Sequence, residues 1–172
     1  MAREDRHSRI RIMFVDFSMD DPKRATMRKL ERFGLARRIS PDFIRGAYTL
    51  TPFAQAYLMR ADRNQCIRNG MCVLEASWNR IEETGNIRAR NARKLPLLLP
   101  VNPVNYGKPG KLSSVEAVAG ALAIIGLEDD ARMLLSKFSW AQSFLETNKL
   151  PLMEYSQAET DDEIRVMEHE FF

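Results

Sequence analysis

An α/β fold, with a mostly parallel sheet, flanking helices and an all-helical C-terminal part, is predicted by three observations. Short apolar runs at residues 10–15, 48–51 and 71–74 alternate with stretches of helical spacing over residues 1–95. Beyond the proline-rich stretch at residues 95–110, only helical spacing remains. Charge divides near the same place: residues 1–111 hold 22 Lys or Arg against 11 Asp or Glu, and residues 112–172 hold 4 against 12. The 172-residue length suits one compact domain or two small ones. The change of texture sets a basic domain at 1–96 and a helical domain at 97–172.

Residues 9–17, with Ile10, Ile12, Met13, Phe14 and Val15, read as a buried strand. A loop at 18–22 follows, then a helix over 23–33, in which Thr26, Met27 and Leu30 share a face and Gly34 is the stop. Residues 48–51 form a short strand before Pro52, residues 62–69 a helix ending at Gly70, and residues 71–74 a second apolar strand. That strand runs into Glu75-Ala76-Ser77-Trp78, so a carboxylate, a hydroxyl and an indole stand at its C-terminal end, where parallel α/β sheets bind ligands. Ser113 and Glu116 match a capping box, and Val115, Val118, Ala119 and Leu122 make an apolar stripe ending near Gly126. Helices over 128–138, 141–147 and 162–170 follow. The acidic segment 159–170 reads most simply as a solvated helix.

Several function classes are excluded. The longest apolar stretch, residues 117–127, falls short of the ~20 residues that span a bilayer. Two cysteines make no disulfide framework, and the opening MAREDRHSRIRI is too charged for a secretory signal, so a cytoplasmic location is expected. Cys66 and Cys72 lack CxxC spacing and read as core thiols, while His7 and His169 lie at opposite ends; no metal site is expected. Residues 107–113 have the wrong spacing for a phosphate-binding P-loop, with Leu112 at the Ser/Thr place, and no GxGxxG follows a strand.

Two features remain. The basic first part favours an anionic partner such as RNA over Lys23, Arg24, Arg28, Lys29, Arg45, Arg80, Arg93, Lys94 and Lys108, or is a solvated basic surface. The proline-pinned loop before residue 113 leads to a helix N-terminus that carries Ser113 and Ser114; it suits a carboxylate, or Ser113 merely caps its own helix. Trp78 and Tyr106 can stack on a flat ring, but isolated aromatics of this kind more often belong to the core.

Four stretches give a sharper reading: DPKRATMRKL at 21–30, EASWNRI at 75–81, NPVNYGKPGKLSSVEA at 102–117 and LLSKFSWAQSFLETN at 134–148. In these the chain resembles the small-subunit rRNA aminocarboxypropyltransferases of archaea and eukaryotes, over nearly its whole length. The resemblance implies transfer of the 3-amino-3-carboxypropyl group of S-adenosylmethionine (SAM) to nitrogen-3 of a methylated pseudouridine in small-subunit rRNA, releasing methylthioadenosine. It implies a SPOUT-like deep trefoil knot, which no periodicity signals. It also implies that Leu50, Pro52 and Trp78 enclose the adenine and methyl end, that Leu74 offers its carbonyl to the ribose, that Thr26, Ser113 and Ser114 receive the amino acid moiety, and that Leu98 also belongs to the cofactor site. Glu75 stands as the candidate catalytic group, where the family commonly has Asp. Cysteines common in the family are replaced by Asp20, Ala25 and Ala76, which argues against a thiol or metal role there. A monomer is expected. The alternative is an RNA-binding ribosome-assembly factor without catalysis.

Overall fold

The computed structural model describes residues 10–17 and 25–172. His7, Asp20, Lys23 and Arg24 lie outside the described residues. Five strands, β1 (Ile12–Asp16), β2 (Arg37–Arg38), β3 (Tyr48–Leu50), β4 (Met71–Glu75) and β5 (Asn91–Arg93), form one sheet in the order β2-β1-β4-β3-β5. Every pairing is parallel. Asp16 pairs with Glu75, and Leu50 with Val73, so the C-terminal ends of β1, β3 and β4 gather at one edge.

Side-chain alternation sends Ile12, Phe14, Met71 and Val73 to one face of the sheet, and Val15, Cys72 and Leu74 to the other. The first face joins a single large core that continues through the helices to Ile164. The second is a small cluster with Ile44 and Ala47. The helices are α1 (Thr26–Arg32), α2 (Arg63–Asn69), α3 (Ser114–Ile124), α4 (Glu128–Leu135), α5 (Phe144–Thr147), α6 (Lys149–Tyr155) and α7 (Asp161–Phe171). After β5, every regular element among the described residues is helical.

The expected stops hold. Gly34 follows α1 at φ 71°, where Leu35 N–H donates to the Leu30 carbonyl at 2.9 Å and Gly34 N–H to Glu31 at 2.9 Å. The same pair of bonds closes α3 around Gly126, from Leu127 N–H to Leu122 at 2.8 Å and from Gly126 N–H to Ala123 at 3.1 Å. Other expectations need correction. The short strands β2 and β5 have no apolar run, because β2 is an exposed Arg-Arg pair at one edge of the sheet and β5 is a half-buried strand at the other. The helix expected over 128–138 ends at Leu135. The one expected over 141–147 divides into a 3-10 turn at Ser139–Ala141 and α5. α6 was not foreseen: Pro151 looks like a breaker but stands in the first turn, where its missing N–H costs little.

Candidate functional site

A cavity of about 550 Å³ opens where the C-terminal ends of β3 and β4 face the N-terminus of α3. Leu50, Pro52, Leu74 and Trp78 line its sheet side, and Ser113 and Ser114 its helical side. Six of the sequence-derived cofactor positions therefore converge on one volume. The remaining two stand behind the wall. Leu98 is fully buried and packs on α3 at Gly120, where an added Cβ would come within 2.8 Å of its Cδ1. An added Cβ there would displace the end of the Leu98 side chain. Thr26, at the start of α1, is 6% exposed, and its hydroxyl accepts the Val115 N–H at 3.0 Å.

Glu75, 4% exposed at the end of β4, joins the same helix termini. One of its oxygens accepts the Met27 N–H of α1 at 2.7 Å, and the other the Ser114 hydroxyl of α3 at 3.0 Å. A carboxylate satisfies two terminal N–H or O–H donors that the helices cannot pair internally. Trp78 closes the sheet side by donating its indole N–H to the Leu112 carbonyl at 2.7 Å.

The helical wall rests on Glu116, whose carboxylate is fully buried. Oε1 accepts the backbone N–H groups of Val101 and Asn102 at 2.7 and 3.0 Å. Oε2 accepts from Asn102 Nδ2, Ser113 N and Ser113 Oγ at 2.8, 2.8 and 2.9 Å. The capping box read from the sequence is therefore one part of a carboxylate hub that shapes the loop before α3. Buried Asn148 adds a second pin, accepting from Leu99 N at 2.8 Å and donating to the Leu99 carbonyl at 2.9 Å.

Sequence reasoning missed Glu168. The acidic segment forms α7, which docks against the cavity rather than standing wholly in solvent. Glu168 accepts the Tyr57 hydroxyl at 2.8 Å and the Leu97 N–H at 2.8 Å, and Asp161 accepts the Tyr57 N–H at 3.2 Å. Burial, followed by the bond to Glu168, pushes the Tyr57 phenol up to about 12. No periodicity points to this role, because charge on a helix reads as solvation until its partner is known. Tyr106 departs from the core expectation: it is 73% exposed on the loop.

The basic residues divide. Arg28 forms a bidentate pair with Asp16 at 2.6 and 3.1 Å, Arg80 with Glu83 at 2.6 and 2.8 Å, and Arg93 with Asp62 at 3.2 and 3.3 Å. Lys29 lies over the Phe138 ring at 4.8 Å and Lys94, on the cavity wall, over Tyr57 at 4.4 Å. Arg45 and Lys108 are exposed. Cys66 and Cys72 are fully buried, and burial pushes both thiols up to about 12. Among the described residues, no group of three or more His, Cys, Asp or Glu could hold a metal ion. No described helix is long and apolar enough to cross a membrane.

A parallel α/β sheet with an apolar cleft beyond its strand ends, closed by a buried helix N-terminus, defines a small-molecule-binding α/β protein. The family model described as "Ribosome biogenesis protein, C-terminal" matches residues 48–172, and the chain belongs to that family. It is 51% identical over 163 residues to the 16S rRNA aminocarboxypropyltransferase of Thermoplasma acidophilum, covering 95% of this chain and 99% of that protein. It is 37% identical over 164 residues to the 18S rRNA aminocarboxypropyltransferase of Saccharomyces cerevisiae, covering 94% of this chain and 52% of that one. Among solved structures, the SAM-dependent rRNA:acp-transferase Tsr3 from Vulcanisaeta distributa superposes with a TM-score of 0.83 at 31% identity, covering 93% of this chain and 98% of that one.

Proposed function

We propose that this protein is a SAM-dependent rRNA aminocarboxypropyltransferase, modifying nitrogen-3 of a methylated pseudouridine in small-subunit rRNA. The observation that carries the reading is the cavity at the ends of β3 and β4, since its size lies within the ~300–1,000 Å³ of small-molecule sites and its walls have the composition SAM requires. Apolar Leu50, Pro52, Leu74 and Trp78 suit the adenine and the S-methyl group, while the N-terminus of α3, with Ser113 and Ser114, suits the amino acid moiety. Relatives in both archaea and yeast bear transferase names, which favours catalysis over an assembly factor that only binds RNA.

When bound, SAM supplies a sulfonium whose γ-carbon is attacked by the base nitrogen; the C–S bond breaks, methylthioadenosine leaves, and the nitrogen's proton passes to water. The protein's task is to present that carbon instead of the methyl. Holding two reactants in attack geometry is worth ~7–11 kcal/mol, against roughly 3–5 kcal/mol for a positioned base, so orientation dominates. Trp78 packs the methyl away from the nucleophile, and the backbone N–H of Ser114 at the start of α3 receives the carboxylate, since Glu116 takes the Ser113 donors and Glu75 the Ser114 hydroxyl. Thr26 and Glu75 act as positioning residues, because each holds the start of α3 by a buried hydrogen bond. Leu98 supports α3 from behind through Gly120.

The RNA is proposed to lie over the basic part, with Lys23, Arg24, Arg45 and Lys108 reaching phosphates and Arg28, Lys29, Arg80, Arg93 and Lys94 completing the field. About five phosphate contacts would give a log-log salt slope near −3.5. The trefoil-knotted path is proposed on the likeness to the family, and the strand order β2-β1-β4-β3-β5 is compatible with it. The core that spans the 96/97 boundary supports a sheet part and a helical part acting as one body; a monomer working in the cytoplasm is part of the same proposal. Incubation with carboxyl-labelled SAM and small-subunit rRNA tests the reading: label is expected on the RNA. Methyl label on the RNA in its place, or no transfer of either, overturns it.

A further inference from the structure

We propose that a second recess, beside the SAM cavity, holds a nucleotide of the substrate RNA, its base stacked on Phe53 and its phosphates at Arg88 and Arg90. The inference rests on the proposed function and identifies where the polynucleotide is gripped. The recess, about 440 Å³, is lined by Phe53, Arg88 and Arg90 together with the small residues Ala54, Gly85 and Ala92. It shares Thr51 with the SAM cavity. In the turn between them, Thr51 accepts the Phe53 N–H on its hydroxyl at 3.3 Å and the Ala54 N–H on its carbonyl at 3.3 Å, so that Pro52 lines the first volume and Phe53 the second.

Phe53 is 47% exposed. Its ring edge lies beside Gly85, where an added Cβ would stand 4.0 Å from Cε2. The bare half of the ring offers a nucleobase a stacking surface. Arg88 and Arg90 are exposed, and among the described residues no carboxylate forms an ion pair with either. They differ in this from Arg28, Arg80 and Arg93, whose charge is already matched. An aromatic platform beside two unmatched guanidinium groups is the chemistry that binds single-stranded nucleic acid. The shared Thr51 wall sets that strand next to the proposed donor site.

The test uses the full chain, a labelled oligouridylate of about ten nucleotides, within the ~4–16 nucleotide span of single-strand sites, and a parallel SAM titration. Phe53→Ala is expected to weaken RNA binding at least fivefold, the lower end of the loss for one stacked base, and Phe53→Trp to restore it. Arg88→Gln with Arg90→Gln is expected to reduce the salt slope by about 1.4. SAM affinity stays unchanged in all three, reporting an intact fold. RNA affinity within about twofold of wild type for Phe53→Ala, or an unaltered slope for the double variant, overturns the recess while leaving the transferase reading intact. A wild-type chain that binds neither this RNA nor small-subunit rRNA overturns both.

Discussion

Two buried carboxylates, Glu75 and Glu116, both sit against the N-terminus of α3 but are employed differently. Glu116 belongs to α3 and gathers donors from a single loop: Val101, Asn102 and Ser113. Glu75 reaches from the end of β4 to two separate helices. The first makes the helical wall rigid within itself, and the second, with Trp78, fixes the sheet wall to it. A cleft that must select one carbon of a ligand over another needs both kinds of restraint, because a stiff wall in the wrong place aims nothing.

Glu116→Ala breaks the rigid wall and has the largest expected effect. It strands several buried donors at ~1–3 kcal/mol each, so a stability loss of more than ~3 kcal/mol is expected. At about 2–4 °C per kcal/mol for a chain of this size, calorimetry should record a Tm fall of roughly 6–12 °C. Trp78→Ala breaks the joint instead. With ~2–3 kcal/mol of aromatic burial lost, SAM affinity in a titration falls roughly 30- to 150-fold, and Tm falls by less than in Glu116→Ala. Trp78→Phe retains the ring but forfeits the bond to Leu112, for about 0.5–1.5 kcal/mol, or roughly 2- to 13-fold.

Glu75→Gln sharpens the comparison. The amide can accept the Met27 N–H, and the Ser114 hydroxyl can turn to accept from the amide, so about 1–2 kcal/mol of stability is lost. SAM affinity should remain within about threefold while single-turnover transfer slows. Equal losses of SAM affinity in Glu75→Gln and Glu116→Ala would erase the distinction between joint and wall.

A last effect concerns alkaline pH. Cys66, Cys72 and Tyr57 are held neutral by burial, each pushed up to about 12. A group whose folded value is raised favours the fold fully below its unfolded value and loses that contribution as pH climbs towards the folded one. The melting temperature is therefore expected to be level up to about pH 9, where an unfolded thiol ionises, and to fall from there towards pH 12. Both thiols should resist a water-soluble disulfide reagent until the chain unfolds.

Apolar periodicity marks β1, β3 and β4 because each packs on the core, and the glycines marked where α1 and α3 stop. β2 and β5 were illegible because short edge strands made of arginine and small residues are set by backbone pairing to a neighbour, not by their own pattern. The cluster at Glu75 and Trp78 was legible as a strand end, and the start of α3 as a cap. What no local pattern contains is that Glu75 reaches Ser114 across 39 residues, or that Thr26 caps a helix 89 residues away. Glu168 is the extreme case, since its meaning depends wholly on a distant partner.

That partner, Tyr57, is 111 residues away along the chain. Contacts of such separation carry a higher loop-closure cost than local ones, so the rim completed by α7 exists only when both ends of the chain are folded together. A ligand that needs the finished rim binds only the folded chain, and by mass action it raises apparent stability by about 2.7 kcal/mol at a hundredfold excess over its dissociation constant. Donor concentration thus sets the apparent stability of the folded chain as well as the occupancy of its cleft.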